Sequence, residues 1–303
     1  MMPFFASPRP DSAAAVAGAN VLSESRAVPG ADTAPNPDPR GATYRALFIS
    51  DVHLGSRNSQ ADLLLDFLKH NDAETIYLVG DIIDGWRLKK QWYWPQSHND
   101  VVQKLLRKAR KGAHVVFLPG NHDEFARDYV GQNFGGIHVR DSDIHETADG
   151  RKLLVIHGDQ FDIVVRNARW LAFLGDWAYE TALFLNSRFN RVRRLFGFEY
   201  WSFSAWAKLK VKKAVNFIGS FEQILAGEAA RQGADGVVCG HIHHAAIRQI
   251  GEVLYLNTGD FVESCTALAE RHDGSLVILR WSDIVAARNN ARLKPASDVP
   301  VAA

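Results

Sequence analysis

A chain of 303 residues is long enough for one large domain or two modest ones, and 47% hydrophobic with 23% charged residues is the balance of an ordinary globular protein. A net charge of +1 excludes a global electrostatic drive toward nucleic acid or membranes, and two cysteines, Cys239 and Cys265, exclude a disulfide framework and suit a reducing compartment. No apolar run approaches the roughly 18 residues that cross a bilayer. The opening Met1-Met2-Pro3-Phe4-Phe5 lacks the cationic-then-apolar order of a secretory signal, so a cytoplasmic location is expected.

Residues 1–43 are rich in Ala, Pro, Ser, Gly and Asp without apolar periodicity, and are expected to form a disordered N-terminal tail. A domain is expected over 44–288. It opens with a strand from Tyr44 to Ser50 that runs into Asp51-Val52-His53. In extended chain, residues i and i+2 point to the same side, so this carboxylate and imidazole can converge on one point. Ser59 to Asn71 reads as an amphipathic helix. Thr75 to Val79 is a second buried strand, ending in Gly80-Asp81-Ile82-Ile83-Asp84. A helix from His98 to Gly112 leads to a third strand, His114 to Leu118, ending in Pro119-Gly120-Asn121-His122-Asp123. This repeated strand–motif–helix unit predicts an α/β sheet with ligands placed past the carboxyl ends of strands.

A hairpin is predicted from Ile144 to Thr147 and from Lys152 to Ile156 about the Asp149-Gly150 turn, delivering His157-Gly158-Asp159. Helical periodicity then takes over from about 160 to 232. The strand pattern returns at Gly236 to Cys239, followed by Gly240-His241-Ile242-His243, and again at Val253 to Asn257 and Ser275 to Leu279. Residues 289–303 carry no clear element and are expected to be a flexible C-terminal tail.

Five strand ends thus carry metal-type ligands: Asp51 and His53; Asp81; Asn121 and His122; His157; His241 and His243. Most are flanked by glycine, which lets a backbone turn sharply and a ligand approach closely. One such coincidence is cheap; five at successive strand ends point to a bound metal pair. Mixed imidazole, carboxylate and amide donors suit manganese, iron or zinc better than magnesium. The absence of cysteine from the set disfavours a closed structural zinc site.

Asp51-x-His53, Gly80-Asp81-x-x-Asp84, Gly120-Asn121-His122-Asp123, His157 and Gly240-His241-x-His243 resemble the motifs of the calcineurin-like metallophosphoesterases. The resemblance covers about residues 44–281 outside the helical insert. It implies a four-layer αββα sandwich with a helical cap insertion and two divalent ions. Asp51, His53, Asp81 and His243 would hold the first ion, and Asp81, Asn121, His157 and His241 the second, with Asp81 bridging. A bridging anion agrees with the repulsion of two cations about 3.5–4 Å apart. His122, with Asn121, would meet the phosphate: it binds an oxygen or protonates the leaving group, with Asp123 orienting its ring. Asp84 would support the site from behind; as a bare residue it equally suits a turn cap.

The insert bears on substrate. From Arg188 to Lys213 it has eight basic residues and one acid, Glu199, interleaved with aromatic residues such as Trp201 and Trp206. One reading is a solvated helical face over a core stripe. The other is a cap offering cations and an apolar pocket to an anionic lipid or membrane interface; single-stranded nucleic acid also likes such surfaces, but is not the expected partner. Asp51-Val52-His53-Leu54-Gly55, Gly80-Asp81-Ile82-Ile83-Asp84-Gly85-Trp86, His157-Gly158-Asp159 and the insert are similar to the UDP-2,3-diacylglucosamine pyrophosphohydrolases of lipid A synthesis. That resemblance implies a peripheral membrane enzyme, using Mn²⁺, that releases UMP and diacylglucosamine 1-phosphate. It also points to Lys213 and Asn216 as substrate contacts in the cap. In one respect the chain departs: those enzymes carry Arg where His122 stands. A phosphodiesterase or phosphatase acting on another lipid, nucleotide or nucleic-acid substrate is therefore the alternative, and a catalytically silent metal-binding protein is a third reading that no missing ligand supports.

Overall fold

The computed structural model of the chain describes residues 26–27, 42–161, 218–219 and 221–293. The expected disordered tail lies outside them except for Arg26–Ala27 and Ala42–Thr43, which lie in strands, and most of the predicted cap, including Lys213 and Asn216, also lies outside them.

Two sheets make the centre. In the first, β2 (Ala42–Ile49), β3 (Asn71–Val79), β4 (His114–Leu118) and β6 (Ile137–Val139) lie parallel in that order. The short β5 (Asn133–Phe134) continues beyond β6, while β12 (Thr266–Glu270) and β13 (Leu276–Arg280) continue antiparallel beyond β2. The second sheet runs β1 (Arg26–Ala27), β10 (Ala246–Ile250), β11 (Val253–Asn257), β9 (Gly236–Cys239), β8 (Lys152–Val155) and β7 (Asp143–Glu146). Within it β8, β9 and β11 are parallel.

Side-chain alternation explains the layering. On β2, Ala46 and Phe48 face a buried cluster shared with Leu153, Val155, Val238, Leu254 and Leu256 of the other sheet. Leu47 and Ile49, one residue out of phase, face the helices instead. There they meet Leu64, Phe67 and Leu68 of α1 (Ala61–His70), Val101 and Leu105 of α3 (Gln96–Arg110), and Trp281 of α5 (Trp281–Leu293). The outer face of the second sheet, Leu154, Val237, Cys239 and Tyr255, is covered by Phe221, Leu225 and Ala229 of α4, the helix over 221–231. Helix, sheet, sheet and helix give the four-layer αββα order, and each fully buried Leu, Ile or Phe contributes roughly 1.5–3 kcal/mol.

The elements predicted outside the insert are present with shifts of a few residues: the second helix starts at Gln96, two residues early, and β4 matches to the residue. Several elements had no expectation, among them β1, β5, β6, β10, β12, α2 (Gly85–Lys90) and α5. The last runs to Leu293, into the stretch expected to be a flexible tail.

Register aligns the strand ends. Ile49 pairs with Leu78, Val79 with Leu118, Val155 with Val238 and Cys239 with Asn257. The carboxyl ends of β2, β3, β4, β8 and β9 therefore open on one edge, and the five ligand-bearing loops meet there.

Candidate metal centre

The loop after β2 lies alongside the loop after β3. Asp51 N–H donates to the Gly80 carbonyl (3.0 Å), Val52 and His53 N–H to that of Asp81 (both 2.9 Å), and Leu54 N–H to that of Ile82 (2.9 Å). Asp51 and His53 are not extended: their φ angles are 51° and 52°. Strand alternation is thus not what makes the pair converge. A left-handed backbone does it, and Asp81, His241 and His243 share that conformation at 54°, 70° and 53°.

Asp51, His157 and His53 are each held from behind, with one atom left without a hydrogen bond. Asp51 Oδ2 accepts from the Ser50 hydroxyl and from the His241 N–H (3.0 Å), leaving buried Oδ1 without a hydrogen bond, 3.2 Å from His243 Nε2. His157 donates Nδ1–H to the Val79 carbonyl (2.9 Å), and its buried Nε2 stands unpartnered 3.5 Å from Asp81 Oδ1. His53 turns Nδ1 toward Asp84 Oδ2 (3.5 Å) and leaves Nε2 unpartnered, 3.8 Å from Asp81 Oδ2. Asn121 Oδ1 is likewise buried without a partner. Leaving such atoms unsatisfied costs about 1–3 kcal/mol each, and four of them around one cleft are a cradle for cations.

Among the described residues, three overlapping groups have ligand atoms within 4.8 Å of one another: Asp51, His53 and His243; His53, Asp81 and His122; Asp81, His157 and His241. The outer two reproduce most of the two sets expected from the motifs, and Asp81 turns one oxygen toward each side. Close approach at this point depends on Gly120, since a Cβ there would overlap Asp81 Oδ1 and lie 2.6 Å from His157 Nε2.

The charges are arranged for a positive guest. Burial pushes the Asp81 carboxyl up, but the imidazoles of His157, His122 and His53 outweigh it and hold it well below the usual carboxylate range. Burial also raises Asp51, and the imidazoles of His243 and His157 overcome it. Conversely, burial disfavours the charged His157 ring, yet Asp81 and Asp51 drive it up to about 10. Buried carboxylates kept charged beside several imidazoles make the cleft favourable to a cation.

His122 and Asp123 depart from expectation. Asp123 does not orient the His122 ring. It is buried and accepts main-chain N–H groups from Gly120 (2.6 Å), Ile82 (2.7 Å), Asp81 (3.2 Å) and Ile83 (3.2 Å), tying the loops after β3 and β4 together. Burial and the Asp81 charge push its carboxyl up to about 6. The partner of His122 Nδ1 is Asp84 Oδ1, 3.1 Å away; the same oxygen caps α2 by accepting the Arg87 N–H (2.9 Å). The two readings of Asp84, turn cap and site support, therefore both hold. Asp260, which no motif flagged, stands 3.9 Å from His243 Nδ1. The available signal was that Asn257-Thr258-Gly259-Asp260 is one more polar, glycine-bearing strand end.

Residues 44–245, more than half of the chain, match the calcineurin-like phosphoesterase family. The chain belongs to that family. It is a metal-dependent phosphoesterase, and the family implies divalent ions, which when bound would supply Lewis acidity toward a phosphoryl group. The buried, unpartnered donors of Asp51, His53, Asn121 and His157 fit them.

This phosphoesterase is 25% identical over 210 residues to a protein named UDP-2,3-diacylglucosamine hydrolase from Blochmanniella pennsylvanica, covering 67% of the chain and 81% of that relative. A protein of the same name from Chromohalobacter salexigens is 29% identical over 144 residues, 42% of the chain, and one from Xanthomonas campestris pv. campestris is 32% identical over 117 residues, 37% of the chain. Those matches span about half the length of these two relatives, 55% and 46%. Among solved structures, YfcE, a phosphoesterase from E. coli, aligns over 78% of the chain and 98% of its own length, with 14% identity and a TM-score of 0.36.

Proposed function

We propose that this phosphoesterase hydrolyses the diphosphate of UDP-2,3-diacylglucosamine or a close relative, releasing UMP and the diacylglucosamine 1-phosphate. The observation that carries the reading is the Blochmanniella alignment, which reaches across most of both chains. In this reading Asp51, His53, Asp81 and His243 hold one ion and Asp81, Asn121, His157 and His241 the other. Manganese is the ion proposed, because its coordination accepts the mixed oxygen and nitrogen donors of the cleft. Asn121 and His122 meet the phosphate, with His122 Nε2 donating a proton to the leaving oxygen, and Lys213 and Asn216 contact substrate from the insert. The enzyme would work in the cytoplasm at the membrane surface, where a diacylated substrate resides. Among the described residues no helix is long and apolar enough to cross a membrane.

The test is Mn²⁺-dependent UMP release from UDP-2,3-diacylglucosamine by the purified protein. Absence of turnover, beside good turnover of simple phosphodiesters, would overturn the substrate and leave the chemistry standing. His122 favours one second reading, a phosphodiesterase for another lipid or nucleotide, because the lipid A enzymes that the sequence resembles carry Arg there.

A further inference from the structure

The imidazole of His122 is held by more than its Asp84 partner. Its main-chain N–H donates to Asp81 Oδ1 (2.8 Å), and the His53 ring meets it edge to face, centroids 4.5 Å apart and planes at 84°. The indole of Trp86, on the first turn of α2, covers a face of the same ring, with centroids 4.2 Å apart and planes at 37°. Trp86 is itself anchored, since its Nε1–H donates to Glu124 Oε1 (3.3 Å) two residues beyond His122. Gly85 permits the approach. Its N–H donates to the His122 carbonyl (2.9 Å), and a Cβ there would stand only 2.9 Å from that oxygen. Asp84, Gly85 and Trp86 thus grip ring, backbone and ring face in succession.

A histidine χ2 torsion is soft and roughly two-fold. One hydrogen bond to Nδ1 leaves the ring free to swing about that bond. A flat neighbour pressed on its face removes the swing and keeps Nε2, 4.0 Å from Asp81 Oδ2, turned toward the cleft. We propose that Trp86 is a positioning residue for His122, fixing the plane in which Nε2 meets the leaving oxygen. The inference rests on the proton-donating role given to His122 above.

The experiment compares the Mn²⁺-loaded wild type with Trp86→Ala, Trp86→Phe, His122→Ala and the Trp86→Ala/His122→Ala double variant, on phosphodiesters with a poor (phenyl) and a good (p-nitrophenyl) leaving group. Bound metal and Tm are measured for each. His122→Ala should lose about 10²–10⁴ in kcat on the phenyl ester and keep its metal. Trp86→Ala should lose about tenfold in kcat on the phenyl ester, less on the p-nitrophenyl ester, with KM and metal content unchanged, because a well-placed acid matters most where departure needs a proton. Trp86→Phe, which keeps a flat face and is the variant to rely on if the alanine form does not fold, should recover most of the loss. In the His122→Ala background, removing Trp86 should cost less than about twofold, since the two residues act as one unit. Multiplicative losses in the double variant, a change confined to KM, or equal losses on both esters would overturn the positioning role while leaving that of His122 intact. Full activity in His122→Ala alone would remove the premise and the inference together.

Discussion

Asp84 and His122 stand 3.1 Å apart at Oδ1 and Nδ1, although 38 residues separate them. The same carboxylate reaches His53 Nδ1 through its other oxygen at 3.5 Å and starts α2 through Arg87. One buried acid therefore orients two imidazoles and a helix. Burial alone would raise its pKa; its hydrogen bonds with His122 and His53 hold it well below the carboxylate range.

Replacing that anion should be felt by activity before stability. Asp84→Asn keeps the shape and an oxygen for the helix cap, but loses the charge that steers both rings. Turnover should fall about 10–100-fold, the usual effect of removing a group that orients a metal site from behind. Steady-state kinetics beside metal analysis check this, and wild-type kcat in the variant would reject it.

Asp81 turns an oxygen toward each ligand group, His157 at 3.5 Å on one side and His53 at 3.8 Å on the other. Asp81→Ala should therefore lose both bound metal and activity, because each set loses a donor and the shared negative charge disappears. Elemental analysis of the purified variant decides the matter: two ions retained per chain would show that Asp81 does not bridge.

Gly120 offers a way to disturb the centre without touching a ligand. In Gly120→Ala the methyl group overlaps Asp81 Oδ1 and crowds His157. The carboxylate must move by several tenths of an ångström or more. Metal affinity should fall at least about tenfold, the scale seen when the support of a ligand is disturbed. Titration of the metal-free variant with Mn²⁺ measures it, and unchanged affinity would mean that the Asp81 carboxylate is more mobile than its contacts indicate.

Glu270 concerns the fold rather than the site. It is fully buried between the sheets, within 2.6 Å of His145 Nε2 on β7 and 3.0 Å of Arg45 Nη1 on β2, and it accepts the Ala148 N–H at 2.7 Å. Burial raises its pKa, but His145, the Ala148 amide and Arg45 bring it below the ordinary value of 4.5. A depressed folded pKa means that folding favours the anion. Its contribution is complete above the unfolded pKa and is lost as pH falls through the folded value. Glu270→Gln should cost about 3–5 kcal/mol at neutral pH, as when one partner of a buried pair is removed. The gap from wild type should narrow below about pH 4.5. Denaturant unfolding across pH 3–8 checks this, and a gap constant with pH would rule out the ionic contribution.

Much of this was legible in the chain. β4 lies between Gly112 and Pro119 and is apolar from Val115 to Leu118, so its limits are visible in the chain. The ligand motifs were visible because each directly follows such a run. α2 has only six residues, and α5 lacks a continuous apolar stripe, so neither announces itself by periodicity. β12 is buried on both faces and shows no alternation. The exchange of Asp84 for Asp123 has a different cause. Asp123 adjoins His122 along the chain, but its carboxylate turns into the amides of Gly120, Ile82 and Ile83. The acid that reaches the ring comes from another loop, and only the packing of loops brings it there.

The left-handed backbone of Asp51, His53, Asp81, His241 and His243 has a consequence for how this protein can change. For most side chains with a Cβ that conformation costs about 1–2 kcal/mol, less for aspartate and histidine, and glycine would relieve it. At these five positions the substitution that best settles the backbone is the one that deletes a ligand. Screening for thermostability alone should therefore enrich inactive variants at this edge of the sheets, and those variants would be more robust than the enzyme they replace.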